Sequence, residues 1–197
     1  MIYKKKMIRI FYAFIVLIAT ALFCIGTACQ SPPQEPRGVA KVSVPVFFDL
    51  KGYMSQQIDG LKTSKPRVKK RVSINGKNEE QILDNINFEE ELAIFVNSDI
   101  NKPAWSDKYE KDSSFSGGQL QNIRYIAKEE NLKTQLMQVS FAGGKVSKIE
   151  LKNRASAAIV TAEETMIYTA GKGYSIIYKE IPVLAEAKNF SVEAVFE

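Results

Sequence analysis

The sequence predicts an α+β fold, with two N-terminal helices packed on a curved antiparallel β-meander of about five to seven strands. Three observations predict it. Apolar residues recur at spacings of three and four in two early segments. Beyond Leu120 the apolar period changes to two. Glycine-bearing turns, among them Gly143-Gly144 and Gly171-Lys172-Gly173, separate the alternating segments at short intervals.

The first helix is expected from Val46 to Lys62. Phe47, Leu50, Met54, Ile58 and Leu61 share one face, Pro45 precedes them, and Ser64-Lys65-Pro66 closes the segment. Its charges are mixed (Asp49, Lys51, Asp59, Lys62), which suits a helix packed on a core better than one lying on a membrane. Val68 to Ile74 reads as a strand. Asn75-Gly76 supplies the residues that a tight hairpin turn needs, and a return strand from Lys77 to Leu83 places Arg71 opposite Glu80. The second helix is expected from Asn87 to Asn97. Asn87 caps it, Glu89, Glu90 and Glu91 complement the dipole of its first turn, and Phe88, Leu92, Phe95 and Val96 form its apolar stripe.

Ser98 to Trp105 reads as a loop, in which Trp105, the only tryptophan, either locks the loop to the core or belongs to a recognition surface. Ser113 to Gly118 reads as a flexible turn. Strands then follow around Ile123-Tyr125-Ala127, Met137-Val139-Phe141, Ile149-Leu151, Ala158 to Tyr168, Tyr174-Ile176-Tyr178 and Phe190-Val192-Ala194-Phe196.

Composition removes several kinds of chemistry. The chain has no histidine and two cysteines, which excludes Ser-His-Asp and Cys-His catalysis and most zinc and copper sites. No cofactor, metal site or catalytic residue is predicted. Gly171-Lys172-Gly173 lacks the longer loop and following helix of a phosphate-binding loop. Glu79-Glu80, Glu129-Glu130 and Glu163-Glu164 are sequence neighbours, so in a strand they point to opposite faces and build no two-carboxylate site. A basic stretch from Lys62 to Lys77 contains no acid between Gly60 and Asn78, which suits a solvated edge strand. No aromatic residue interleaves those charges, so no nucleic-acid partner is predicted.

The first 28 residues carry a different kind of signal. Lys4, Lys5, Lys6 and Arg9 make a basic start, and an uncharged run from Ile10 to Ile25 follows. Gly26-Thr27-Ala28 then sit directly before Cys29. This segment resembles the signal of bacterial lipoproteins, with Gly26 where that family prefers a larger aliphatic residue. With the Ser98–Trp105 loop and the Gly171–Tyr178 turn and strand, it makes the chain similar to small bacterial envelope lipoproteins of Bacteroidota type. The resemblance implies that residues 1–28 are removed, that Cys29 is lipidated, and that 29–45 form a proline-bearing tether to a single domain at 46–197. It implies a cell-envelope location facing the periplasm, with the outer membrane as the expected membrane, and it implies no activity. Cleaved secretion and an uncleaved transmembrane anchor are the alternatives. Of 27 basic and 22 acidic residues, four basic ones lie in the leader, so the rest of the chain is nearly neutral.

The leading expectation is therefore a non-enzymatic lipoprotein that binds or assembles with an envelope protein or polymer. A second is a lipid or hydrophobic-ligand carrier, loosely similar to the half-barrel of lipoprotein carriers. Its cavity would be lined by Met137, Val139, Phe141, Tyr174, Ile176 and Tyr178. A third is a histidine-free hydrolase working with carboxylates.

Overall fold

A computed structural model describes residues 46–197. The leader, the candidate lipidation site Cys29 and the tether 29–45 lie outside the described residues. In chain order the elements are α1 (Leu50–Ser64), β1 (Val68–Ile74), β2 (Lys77–Leu83), α2 (Phe88–Val96) and a single 3-10 turn (Pro103–Trp105). Strands β3 (Tyr109–Ser116), β4 (Gln119–Ala127), β5 (Thr134–Ala142), β6 (Lys145–Ala157), β7 (Val160–Thr169), β8 (Gly173–Pro182) and β9 (Lys188–Phe196) follow. All nine strands form one antiparallel sheet in the order β2-β1-β9-β8-β7-β6-β5-β4-β3.

This corrects the expected fold class. Residues 46–197 are chiefly a nine-stranded antiparallel sheet with two short helices, not a smaller meander behind two N-terminal helices. The β1–β2 hairpin stands between the helices and joins the sheet beside the last strand. Backbone ladders, not apolar alternation, make the strands that periodicity undercounts. β3 buries only Tyr109, and β2 is exposed along its length except at half-buried Leu83. Residues 113–116, expected in a turn, belong to β3, and the turn itself is Gly117-Gly118.

The helices begin where side chains can satisfy free backbone N–H groups. α1 starts at Leu50, later than expected, because the Asp49 carboxylate accepts from the Gly52 N–H at 2.8 Å. It ends at Lys65, which takes a left-handed conformation and donates its N–H to the Leu61 carbonyl. Asn87 caps α2, its side-chain oxygen accepting from the N–H groups of Glu89 and Glu90. Phe47 is released from the helix stripe and packs edge-on against Tyr109 and Tyr125.

Asn75 and Gly76 both have positive φ, as a two-residue hairpin turn requires, and the register puts Arg71 opposite Glu80. Gly173, at φ +147, has no room for a side chain, since a Cβ there would lie 2.0 Å from the Ala194 carbonyl oxygen.

Leu50, Met54, Ile58 and Leu61 of α1 and Phe88, Leu92 and Phe95 of α2 bury with the strands in one core on a single face of the sheet. Phe95 makes edge contacts with Tyr168 and Tyr174, and Phe88 with Phe196. Among the described residues, the opposite face carries no helix. Among the described residues, no helix is long and apolar enough to cross a membrane.

Candidate binding face

Strand pairing aligns side chains into rows that cross the helix-bearing face. One row reads Glu79–Val72–Val192–Ile176–Met166–Leu151–Met137–Tyr125, from β2 to β4. The next reads Lys77–Ile74–Phe190–Tyr178–Glu164–Asn153–Thr134, from β2 to β5. Each row is closed at one end and open at the other. Met166, Leu151 and Met137 are fully buried, while Val72 and Ile176 are half-buried and Ile74 is 56% exposed.

The closed end is sealed by α1, by α2 and by the loop after α2. Ser98 lies over Asn153, whose amide donates to the Ser98 hydroxyl at 2.9 Å and to Glu164 at 3.1 Å. Thr134 donates to the Ser98 carbonyl. Tyr109 donates to the Thr134 carbonyl at 2.9 Å, and burial pushes its hydroxyl pKa up to about 12.

The open end is a trough over β8, β9, β1 and β2. Val72, Ile176, Phe190 and Tyr178 are its half-buried apolar floor, and Ile94 of α2 packs with them against the core. Two adjoining recesses of about 180 and 310 Å³ share Val72 and Glu79. Leu83, Gln81 and Lys70 line the first, and Ile74, Asn75 and Lys77 the second. Lys70 is fixed at the boundary of the trough. It donates to both carboxylate oxygens of Glu91 at 2.8 Å, and the Tyr174 hydroxyl also donates to Glu91. Burial, followed by the hydrogen bond to Glu91, raises the Tyr174 pKa well above the usual phenol range. The three adjacent glutamates thus divide their roles. Glu89 pairs with Lys62, and Glu91 ties α2 to the sheet.

The sequence-proposed ligand residues are not brought together. Met137, Val139 and Tyr174 are buried in the core, and of the three only Tyr174 borders a recess, the one beside Gly173. Phe141 is half-buried beside Val146, at the end of the strands away from the trough. Ile176 and Tyr178 do lie in the trough. Trp105 sits by β3, at the opposite edge of the sheet, packed on Tyr109 with the Lys102 ammonium 3.9 Å above its ring. The trough residues that sequence reasoning missed are Val72 and Phe190. Both stood in alternating strands, but only the β1–β9 pairing makes them neighbours of Ile176.

Glu79-Glu80 and Glu163-Glu164 separate as strand geometry requires, while Glu129-Glu130 lies in the loop after β4. Glu79 lines the trough, while Glu80 lies on the bare face, bonded to Lys69 and Arg71, which hold its carboxyl below the usual range. Among the described residues, no group of three acids or cysteines is placed to hold a metal ion. On the bare face, a recess of about 230 Å³ lies where Gly173 lacks a side chain, among Ile167, Ser175, Glu193 and Val195. That face sets exposed Ile82, Ile126, Ile177 and Val195 among charged and polar groups, whereas Val72, Ile176, Tyr178 and Phe190 are neighbours in the trough. In comparisons with known proteins, the chain matches no family model, no curated protein and no solved structure.

Proposed function

We propose that this chain is a non-enzymatic binding or assembly protein of the bacterial cell envelope, held at the outer membrane through an acylated Cys29. The observation that carries the binding reading is the half-covered row on the helix-bearing face. Val72, Ile176, Tyr178 and Phe190 keep apolar surface open to solvent beside a sealed core. Such a strip suits an extended segment of an envelope protein or polymer, because it is long, shallow and bordered by Lys70, Lys77 and Glu79. The dispersed carboxylates weigh against a hydrolytic role.

A photo-crosslinking residue placed at Tyr178 in the full-length chain, in intact cells, tests this. Discrete adducts larger than the monomer are expected from position 178 and not from Arg124 on the bare face. Monomer alone from both positions would overturn the reading. Anchoring has its own test, since Cys29→Ser is expected to release the protein from membranes or block its processing. An uncleaved anchor would ignore that change.

The carrier reading retains one favourable observation, that Ile176 and Tyr178 lie on the open strip. Ligand pockets enclose roughly 300–1,000 Å³, and the recesses here reach the lower end of that range only at the larger one, about 310 Å³. A bound acyl chain would therefore need the helices to move. Acyl chains co-purifying in native mass spectrometry of the full chain would favour this reading, and a ligand-free spectrum would remove it.

A further inference from the structure

The most exposed apolar side chains gather at one end of the strands. Ile159 in the β6–β7 turn is 74% exposed, and Val183 and Leu184 in the β8–β9 loop are 69% and 95% exposed. The two tips are tied together, the Val183 N–H donating to the Ile159 carbonyl at 3.0 Å. Each lies within an uncharged run, Ala155 to Ala162 in one and Ile181 to Ala185 in the other, with Glu186 closing the second. Below the first tip come the pairs Ala157–Val160, Ser156–Thr161 and Ala155–Ala162 before Arg154 faces Glu163. That is about 10 Å of strand without charge.

We propose that this double tip is a membrane-contacting wedge, whose Ile159, Val183 and Leu184 enter the surface of the bilayer that anchors the chain. The inference rests on the lipid-anchored reading of Cys29. A depth of about 5–10 Å is what an interfacial apolar element occupies at the boundary between headgroups and acyl chains. The first ionised groups of the hairpins then fall at headgroup level: Arg154 stands opposite Glu163 in one, and in the other Glu186 is followed by Lys188, which reaches Glu180 at 3.3 Å. A protein partner fits less well. The tip is a pair of projecting loops with three large apolar side chains, short of the ~1,000 Å² that a stable protein interface needs. The tether also permits the contact. A segment as long as 29–45 can span at most roughly 50 Å. The described chain starts beside Tyr125, only about 20 Å of strand from the tip level.

The full-length chain reconstituted in vesicles of phosphatidylethanolamine and phosphatidylglycerol provides the test. Leu184→Cys carries an environment-sensitive fluorophore, and Lys145→Cys, in the β5–β6 turn at the other end of the strands, is the control. Flotation with the vesicles reports the anchor, and quenching by brominated lipids reports the tip. A blue-shifted emission at 184 with about twofold stronger quenching than at 145 is expected for an inserted wedge, and Ile159→Glu should abolish the difference. Flotation with equal, weak quenching at both sites would overturn the wedge and leave the anchor standing. A chain that does not float would overturn the anchored reading and the wedge with it. A shift at 184 seen only in native envelopes, and not in protein-free lipid, would assign the tip to a protein partner and overturn the proposal.

Discussion

The row that crosses the sheet from Tyr125 to Glu79 is fully buried over β4 to β7, while over β8, β1 and β2 it is half-buried or exposed, with only Val192 of β9 buried among them. Ile176 and Met166 face each other across one strand pair, and both are large and apolar. Met166 is fully buried and Ile176 only half so. The strands supply the same alternation on both sides. The helix stripes and the Ser98–Ile100 loop make the difference: α2 still packs on Tyr174 and Phe196 of β8 and β9, but Ile176, Tyr178 and Phe190 further along those strands are only half-buried. Alternation thus decides which face is apolar, and separate elements decide how much of it is withdrawn from water.

The sharpest way to break that contrast is to truncate both members of the pair. Met166→Ala is expected to lower unfolding free energy by about 2–5 kcal/mol, the range for a large side chain removed from a closed core. Ile176→Ala should cost roughly half as much or less, because part of its surface is already in water. Urea unfolding of the two variants measures both, and equal losses would mean that the two halves are packed alike.

Alkaline titration probes the buried tyrosines. Tyr109, Tyr168 and Tyr174 all have raised phenol pKa values, burial being the first cause in each. A raised value means that the folded state holds the proton longer than the unfolded chain. The stability these groups lend is complete below pH 10 and is lost as pH climbs toward the folded value, about 12 for Tyr109. Each tyrosine should contribute a slope of about 1.4 kcal/mol per pH unit. Tyr109→Phe should make the fall between pH 10 and 12 shallower, and an unchanged slope would show that this hydroxyl is not sealed.

The boundary between the halves is held by Lys70, Glu91 and Tyr174. The Lys70 and Glu91 side chains are 21% and 24% exposed, so the pair is only partly screened. Glu91→Gln is expected to cost about 1–2 kcal/mol, with the loss read by thermal or urea unfolding. The smallest effect should come from the bare face. Arg71→Ala removes exposed pairs with Glu80 and Glu193 and should change stability by less than about 0.5 kcal/mol. A larger loss would show that the bare face is covered by something that screens it from water.

Local signals were readable in the sequence, and distant ones were not. Asn75-Gly76 placed Arg71 opposite Glu80, and Asn87 placed the start of α2, because each depends on a few neighbouring residues. The turns at Gly143-Gly144 and Gly171 were readable for the same reason. Strand β3 was not, since Tyr-Glu-Lys-Asp-Ser-Ser-Phe-Ser has one buried residue and no apolar period. The trough was half legible. Ile176 and Tyr178 announced themselves by alternation, but nothing local says that Val72 and Phe190 join them. Met137, Val139 and Tyr174 carried the same pattern and ended in the core, because alternation says nothing about which helix will come to rest above a strand.

The pairing of β1 with β9 has a kinetic consequence. Val68 meets Phe196, so the contact that completes the sheet closes a loop of nearly the whole domain. The entropy of that closure is about 4 kcal/mol, and none of it is recovered until the last strand is available. During synthesis the first hairpin must wait for the final residues before it can join the sheet. Strands β3 to β8 pair with sequence neighbours and can form earlier, so the oldest hairpin of the chain is the last part of the sheet to be seated.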